Sequence, residues 1–102
     1  MIAILSDIHG NLPALEAVLA DLPPVREIWL LGDLLGELPY PREVMGKLQA
    51  LERDLPVRAV AGNREVSLLE IRDGLHEDWR QGTQLSALTW TADQLEPRHW
   101  EW

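Results

Sequence analysis

The 102-residue chain has no cysteine, which excludes disulfide frameworks, thiolate metal sites and cysteine nucleophiles and makes a reducing cytoplasm the expected location. It has no long hydrophobic run either. The longest, Met1 to Leu5, is about five residues, against the ~20 that cross a bilayer. No basic leader opens the chain, and Asp7 and His9 interrupt what could pass for a signal sequence. Positive charge is scarce: 9 Lys+Arg face 17 Asp+Glu, a formal charge of −8, with no basic cluster. Proteins that grip nucleic acid by its phosphates present a basic face, so nucleic acid is not an expected partner, and neither is a membrane. Phosphate chemistry stays open where divalent cations supply the positive charge. What is present, 46% apolar and 25% charged residues, is the balance of an ordinary globular domain.

Short apolar runs alternate with helical periods, the pattern of βαβ units and a parallel sheet. A first strand is expected over Ile2 to Ser6, followed by the turn Asp7-Ile8-His9-Gly10-Asn11. Asn11 can cap a helix that takes Pro13 in its first turn, with Leu12, Leu15, Leu19 and Leu22 at helical spacing and Val18 widening the stripe. Pro23-Pro24 ends it. A second strand, Glu27 to Leu31, runs into Gly32-Asp33. A second helix from Pro41 carries Val44, Leu48, Leu51 and Leu55 on one face, closed by Pro56. A third strand, Val57 to Ala61, ends at Gly62-Asn63. A short helix follows to Arg72 and stops at Asp73-Gly74, and another helical period runs from Thr83 to Leu95. The tail from Glu96 to Trp102 shows no clear element.

Three strands thus end in turns that carry polar residues: Asp7 and His9, then Asp33, then Asn63. Ligands of open parallel sheets bind beyond the carboxyl ends of the strands, and all three turns fall there. Two carboxylates, an imidazole and an amide oxygen suit Mn, Fe, Mg or Zn, with no sulfur to force the choice. Each residue also has a purely structural use, Asp7 as a helix cap and Asp33 and Asn63 as turn formers.

The blocks Asp7-Ile8-His9-Gly10-Asn11, Gly32-Asp33-Leu34-Leu35-Gly36 and Gly62-Asn63 resemble the first three signature blocks of the calcineurin-like metallophosphoesterases. The stretches Ser6 to Leu19 and Gly36 to Val44, and Trp90-Thr91 with Leu95, are similar to the small prokaryotic members. The resemblance runs from Ile2 to about Pro97. It implies an α/β fold, half of an αββα sandwich, in a single domain over residues 1–102 that is truncated relative to the family. It also implies a phosphate mono- or diester as substrate and a dinuclear metal centre. In that centre the residue matching Asp33 bridges two ions, those matching Asp7 and His9 bind the first, and that matching Asn63 binds the second.

Two departures accompany the likeness. Where the family's third block carries a histidine, this chain has Arg64, followed by Glu65. Arginine can support phosphoryl charge but cannot donate a proton near neutral pH, so Arg64 is the candidate catalytic residue in an electrostatic role. The family's C-terminal histidine blocks have no counterpart here, and His76 and His99 are expected at the surface. A half-length fold leaves one face of the sheet, with Ile4, Trp29, Leu31 and Val60, without its cover. The tryptophans at 79, 90, 100 and 102 could fold over it; otherwise a homodimer or another polypeptide covers it. The alternative function is a non-catalytic half-domain that self-associates.

Overall fold

In the computed structural model, which describes residues 1–36, 38–75 and 86–102, the chain builds a three-stranded parallel sheet in the order β1-β2-β3. The strands are β1 (Ile2–Leu5), β2 (Glu27–Leu30) and β3 (Val57–Ala59). The helices are α1 (Leu12–Asp21), α2 (Pro41–Leu51), α3 (Asn63–Arg72), α4 (Ser86–Gln94) and α5 (Pro97–Glu101). Ala3 stands beside Ile28, and Ile28 beside Val57, so one period-2 face of the sheet is apolar across all three strands. Ala3, Ile28 and Leu30 of that face join Leu15, Val44, Met45, Leu48, Leu68, Ile71, Leu88 and Ala92 in one buried cluster. The helices therefore lie on a single side of the sheet.

Local signals set most boundaries as expected. The Asn11 side chain accepts from the Ala14 backbone N–H at 3.1 Å and starts α1, and a proline stands in the first turn of both α1 and α2. Val44 and Leu48 of α2 are wholly buried. Val18 departs from the expected stripe: it is 44% exposed, in a shallow hollow beside β1 with Ile4.

Two expectations are corrected at the C-terminal end. The tail forms a further helix, α5, because Pro97 opens it and His99 folds back so that its Nδ1 accepts from the Glu96 backbone N–H at 3.0 Å. His99 is therefore not a surface residue; it is 3% exposed, and the Gln49 Nε2–Arg98 O hydrogen bond of 2.9 Å ties α5 to α2. Burial, with Arg98 beside it, pushes its pKa below the usual 6.5. His76, Trp79 and the segment from Thr83 to Leu85 lie outside the described residues.

Trp100 and Trp102 pack against the helical side rather than over the other face of the sheet. There Ile4 and Trp29 are cross-strand neighbours at 57% and 39% exposure, with Leu31 at 51% and Val60 at 60%; Arg58 beside Trp29 pairs with Glu27. This face is open among the described residues.

Candidate metal centre

Beyond their carboxyl ends the strands stay in register as loops. Asp7 N–H donates to the Gly32 carbonyl at 3.2 Å, His9 N–H to the Asp33 carbonyl at 3.0 Å, and Gly10 N–H to the Leu34 carbonyl at 2.8 Å. The first two loops thus continue the ladder past β1 and β2. The third closes on the second by contact: a Cβ added to Gly32 would stand 2.6 Å from the Gly62 nitrogen, and one added to Gly62 would stand 2.6 Å from the Asp33 nitrogen. Only glycine at both positions lets the two backbones approach this closely.

That scaffold brings three of the four expected ligands together. One ligand atom each from Asp7, His9 and Asp33 lies within 4.8 Å of the others. Asp7 is exposed, and His9 and Asp33 are half-buried. His9 Nε2 is 3.3 Å from Asp7 Oδ1, and the Ser6 hydroxyl donates to Asp7 Oδ2 at 2.6 Å. That hydroxyl, aided by His9, holds the Asp7 carboxyl below its ordinary pKa of 3.8. Asn63 is the exposed first residue of α3, next to Gly62 and so beside the Asp33 loop. Arg64 follows. Its backbone N–H donates to Asp33 Oδ1 at 3.1 Å, and its side-chain stem passes Gly36, where an added Cβ would be 3.3 Å from Arg64 Cδ.

The backbone singles out the same residues. Among the described residues, the non-glycine positions at positive φ are Asp7 (58°), His9 (51°) and Asp33 (54°). Left-handed conformations are costly for residues with a side chain and cluster at functional sites, where the surroundings enforce them. Here the interlocked loops do so, and the three strained residues are the three whose ligand atoms converge.

The donor set fits a divalent cation. Two carboxylates and an imidazole are hard-to-borderline ligands, and His9 Nδ1 is buried without a hydrogen-bond partner. The three ligand atoms within 4.8 Å of one another are a donor set that one divalent cation could complete.

The sequence places Glu65 directly after Arg64 in the third signature block and assigns it no role. Its carboxylate accepts backbone N–H groups from two of the three loops. The available signal was a glutamate at the third position of α3, from which its carboxylate can reach back to the Gly62 N–H. Its reach across to the second loop carried no signal.

A parallel α/β sheet with two carboxylates and an imidazole gathered beyond its carboxyl edge has its candidate site where open-sheet proteins bind their ligands. The calcineurin-like phosphoesterase family model matches residues 1–98, and the chain belongs to that family. It is 42% identical over 71 residues to an uncharacterized protein of Methanocaldococcus jannaschii, covering 68% of this chain and 28% of that protein. It is 32% identical over 101 residues to the symmetrical bis(5'-nucleosyl)-tetraphosphatase of Psychromonas ingrahamii, covering 95% of this chain and 35% of that enzyme. The crystal structure of a metallophosphoesterase from Sphaerobacter thermophilus superposes with a TM-score of 0.75 at 36% identity, over 98% of this chain and 38% of that one. The chain thus spans about a third of the length of these relatives. No helix among the described residues is long and apolar enough to cross a membrane.

Proposed function

We propose that this chain is the metal-holding part of a phosphoesterase that hydrolyses a phosphate mono- or diester. The observation that carries the reading is the convergence of Asp7, His9 and Asp33 within 4.8 Å, each at positive φ. In this reading Asp7, His9, Asp33 and Asn63 would hold the divalent ions of a dinuclear centre. A divalent ion held there supplies Lewis-acid polarisation of the phosphoryl group and lowers the pKa of an attacking water. The protein's own groups do the rest. The Ser6 hydroxyl donates to Asp7 and the Arg64 backbone N–H to Asp33, which orients both carboxylates, and in this reading the Arg64 guanidinium would support the phosphoryl charge. Arginine has no proton to give near neutral pH, so the leaving oxygen takes its proton from solvent. The cysteine-free composition suits the reducing cytoplasm.

The test is a metal titration paired with turnover. Mn²⁺ or Zn²⁺ is titrated into metal-free protein, and hydrolysis of an aryl phosphate monoester, an aryl phosphodiester and a dinucleoside tetraphosphate is followed. The reading expects two equivalents per chain and hydrolysis that Asp33→Asn abolishes. Absence of metal binding, or hydrolysis indifferent to Asp33→Asn, refutes it.

The open sheet face favours a second reading, a phosphoesterase-like unit that self-associates and turns over little. Ile4, Trp29, Leu31 and Val60 form an apolar patch of the kind that partners cover. One weakly held metal equivalent, no hydrolysis and a dimer in sedimentation select this reading; a compact monomer at micromolar concentration removes it.

A further inference from the structure

We propose that Glu65 is a positioning residue for the metal centre, which sets the distance between the Asp33 loop and the Asn63–Arg64 end of α3. The inference rests on the functional reading above but stands on contacts of its own. Glu65 Oε1 accepts from the Gly62 N–H at 3.0 Å, the local contact that starts α3. Capping needs no more than that. Oε2 reaches instead into the second loop, where it accepts from the Leu34 N–H at 3.0 Å and the Leu35 N–H at 3.4 Å, 31 and 30 residues earlier in the chain.

The exchange is reciprocal. Asp33 Oδ1 accepts from the Arg64 N–H at 3.1 Å, so each segment's carboxylate takes a backbone amide of the other. Leu34 and Leu35 are 4% and 3% exposed, which leaves their N–H groups little access to water in place of Glu65. Asp33 is thereby held on both sides. Gly32 before it touches Gly62, and Leu34 and Leu35 after it are fastened to Glu65. Its left-handed backbone is imposed by that clamp. Glu65 is not one of the clustered ligand residues, so its effect on metal passes through Asp33 and α3. Partners that orient metal ligands typically change affinity by about 10- to 100-fold when removed.

The experiment compares Glu65→Gln with the wild type, using Leu48→Ala as a control destabilised in the core of α2, far along the chain from the site. Glutamine keeps the shape, but its NH₂ would face a backbone donor, so it cannot serve both loops. Two readouts are taken: hydrogen exchange of the Leu34 and Leu35 amides in metal-free protein, and Mn²⁺ affinity from the free-ion EPR signal. In Glu65→Gln those two amides are expected to exchange at least about 10-fold faster than in Leu48→Ala, and Mn²⁺ to bind about 10- to 100-fold more weakly. Leu48→Ala should keep the wild-type Mn²⁺ affinity. Exchange at Leu34 and Leu35 no faster than in the control overturns the proposal. So does faster exchange with Mn²⁺ affinity within about 3-fold of wild type. Should the wild type bind no Mn²⁺, the functional reading fails and this proposal's metal arm fails with it, while the exchange arm still decides whether Glu65 holds the two loops together.

Discussion

Gly62→Ala separates two physical accounts of the loop that carries Asn63, because they predict effects of opposite sign. Gly62 sits at φ −88°, a conformation open to any residue, so backbone entropy alone favours alanine by about 0.4–1 kcal/mol. The tertiary structure opposes it. A Cβ there would lie 2.6 Å from the Asp33 nitrogen and 2.8 Å from its Cγ, and the nitrogen belongs to backbone that Glu65 and Arg64 hold in place. Overpacking against such atoms costs about 1–3 kcal/mol, which leaves a net loss centred on about 1 kcal/mol and reaching about 2.6 kcal/mol. For a domain of this size each kcal/mol is worth about 4–8 °C in Tm. Gly46, inside α2, is the internal standard: an added Cβ meets nothing within 4 Å, and alanine gains about 1 kcal/mol of helix propensity. Thermal and urea unfolding of metal-free protein should therefore show Gly46→Ala above wild type and Gly62→Ala below it. Gly62→Ala should also bind Mn²⁺ more weakly, since Asp33 must move. A Gly62→Ala protein as stable as Gly46→Ala would refute the contact between the second and third loops, and with it the geometry of the site.

Other consequences can be measured alongside. Asp7→Gly removes a strained backbone position, so its metal-free Tm should exceed that of the wild type. The order should reverse as Mn²⁺ is added, because ligand stabilises only the form that binds it. A metal-free Tm below wild type would count against stored strain at the site. Burial depresses the pKa of His99, so the unfolded chain takes up a proton more readily than the folded one. Stability that is complete above pH 6.5 should then decline as pH falls toward the lowered folded value, and a His99→Gln protein should lose that slope in urea titrations. Trp29→Arg on the open face should shift sedimentation toward monomer with little change in Tm; an unchanged distribution in a self-associating wild type would place the interface elsewhere.

Much of this architecture is encoded locally. Asn11 and Pro13 start α1, Pro41 starts α2, and Asp73-Gly74 ends α3, each through contacts within a few residues, which is why those boundaries could be read from the chain. His99 and the last helix were misread for the complementary reason. A five-residue element has too little periodicity to declare itself, and the burial of His99 depends on α2, about fifty residues earlier. Val18 misled because helical spacing says which residues share a face, not how far the sheet extends beneath it.

The order of residues alone determined that three strands would end in Asp7 with His9, Asp33 and Asn63, since strand ends, turns and caps are set by side chains close in sequence. It also limited the donors at those strand ends to carboxylates, an imidazole and an amide. Tertiary contact decided that Asp7, His9 and Asp33 meet within 4.8 Å, that all three are held at positive φ, and that Glu65 joins loops some thirty residues apart. Those outcomes need backbones brought together by the parallel ladder and by the Gly32–Gly62 contact, and no local pattern specifies which distant amide a carboxylate will find.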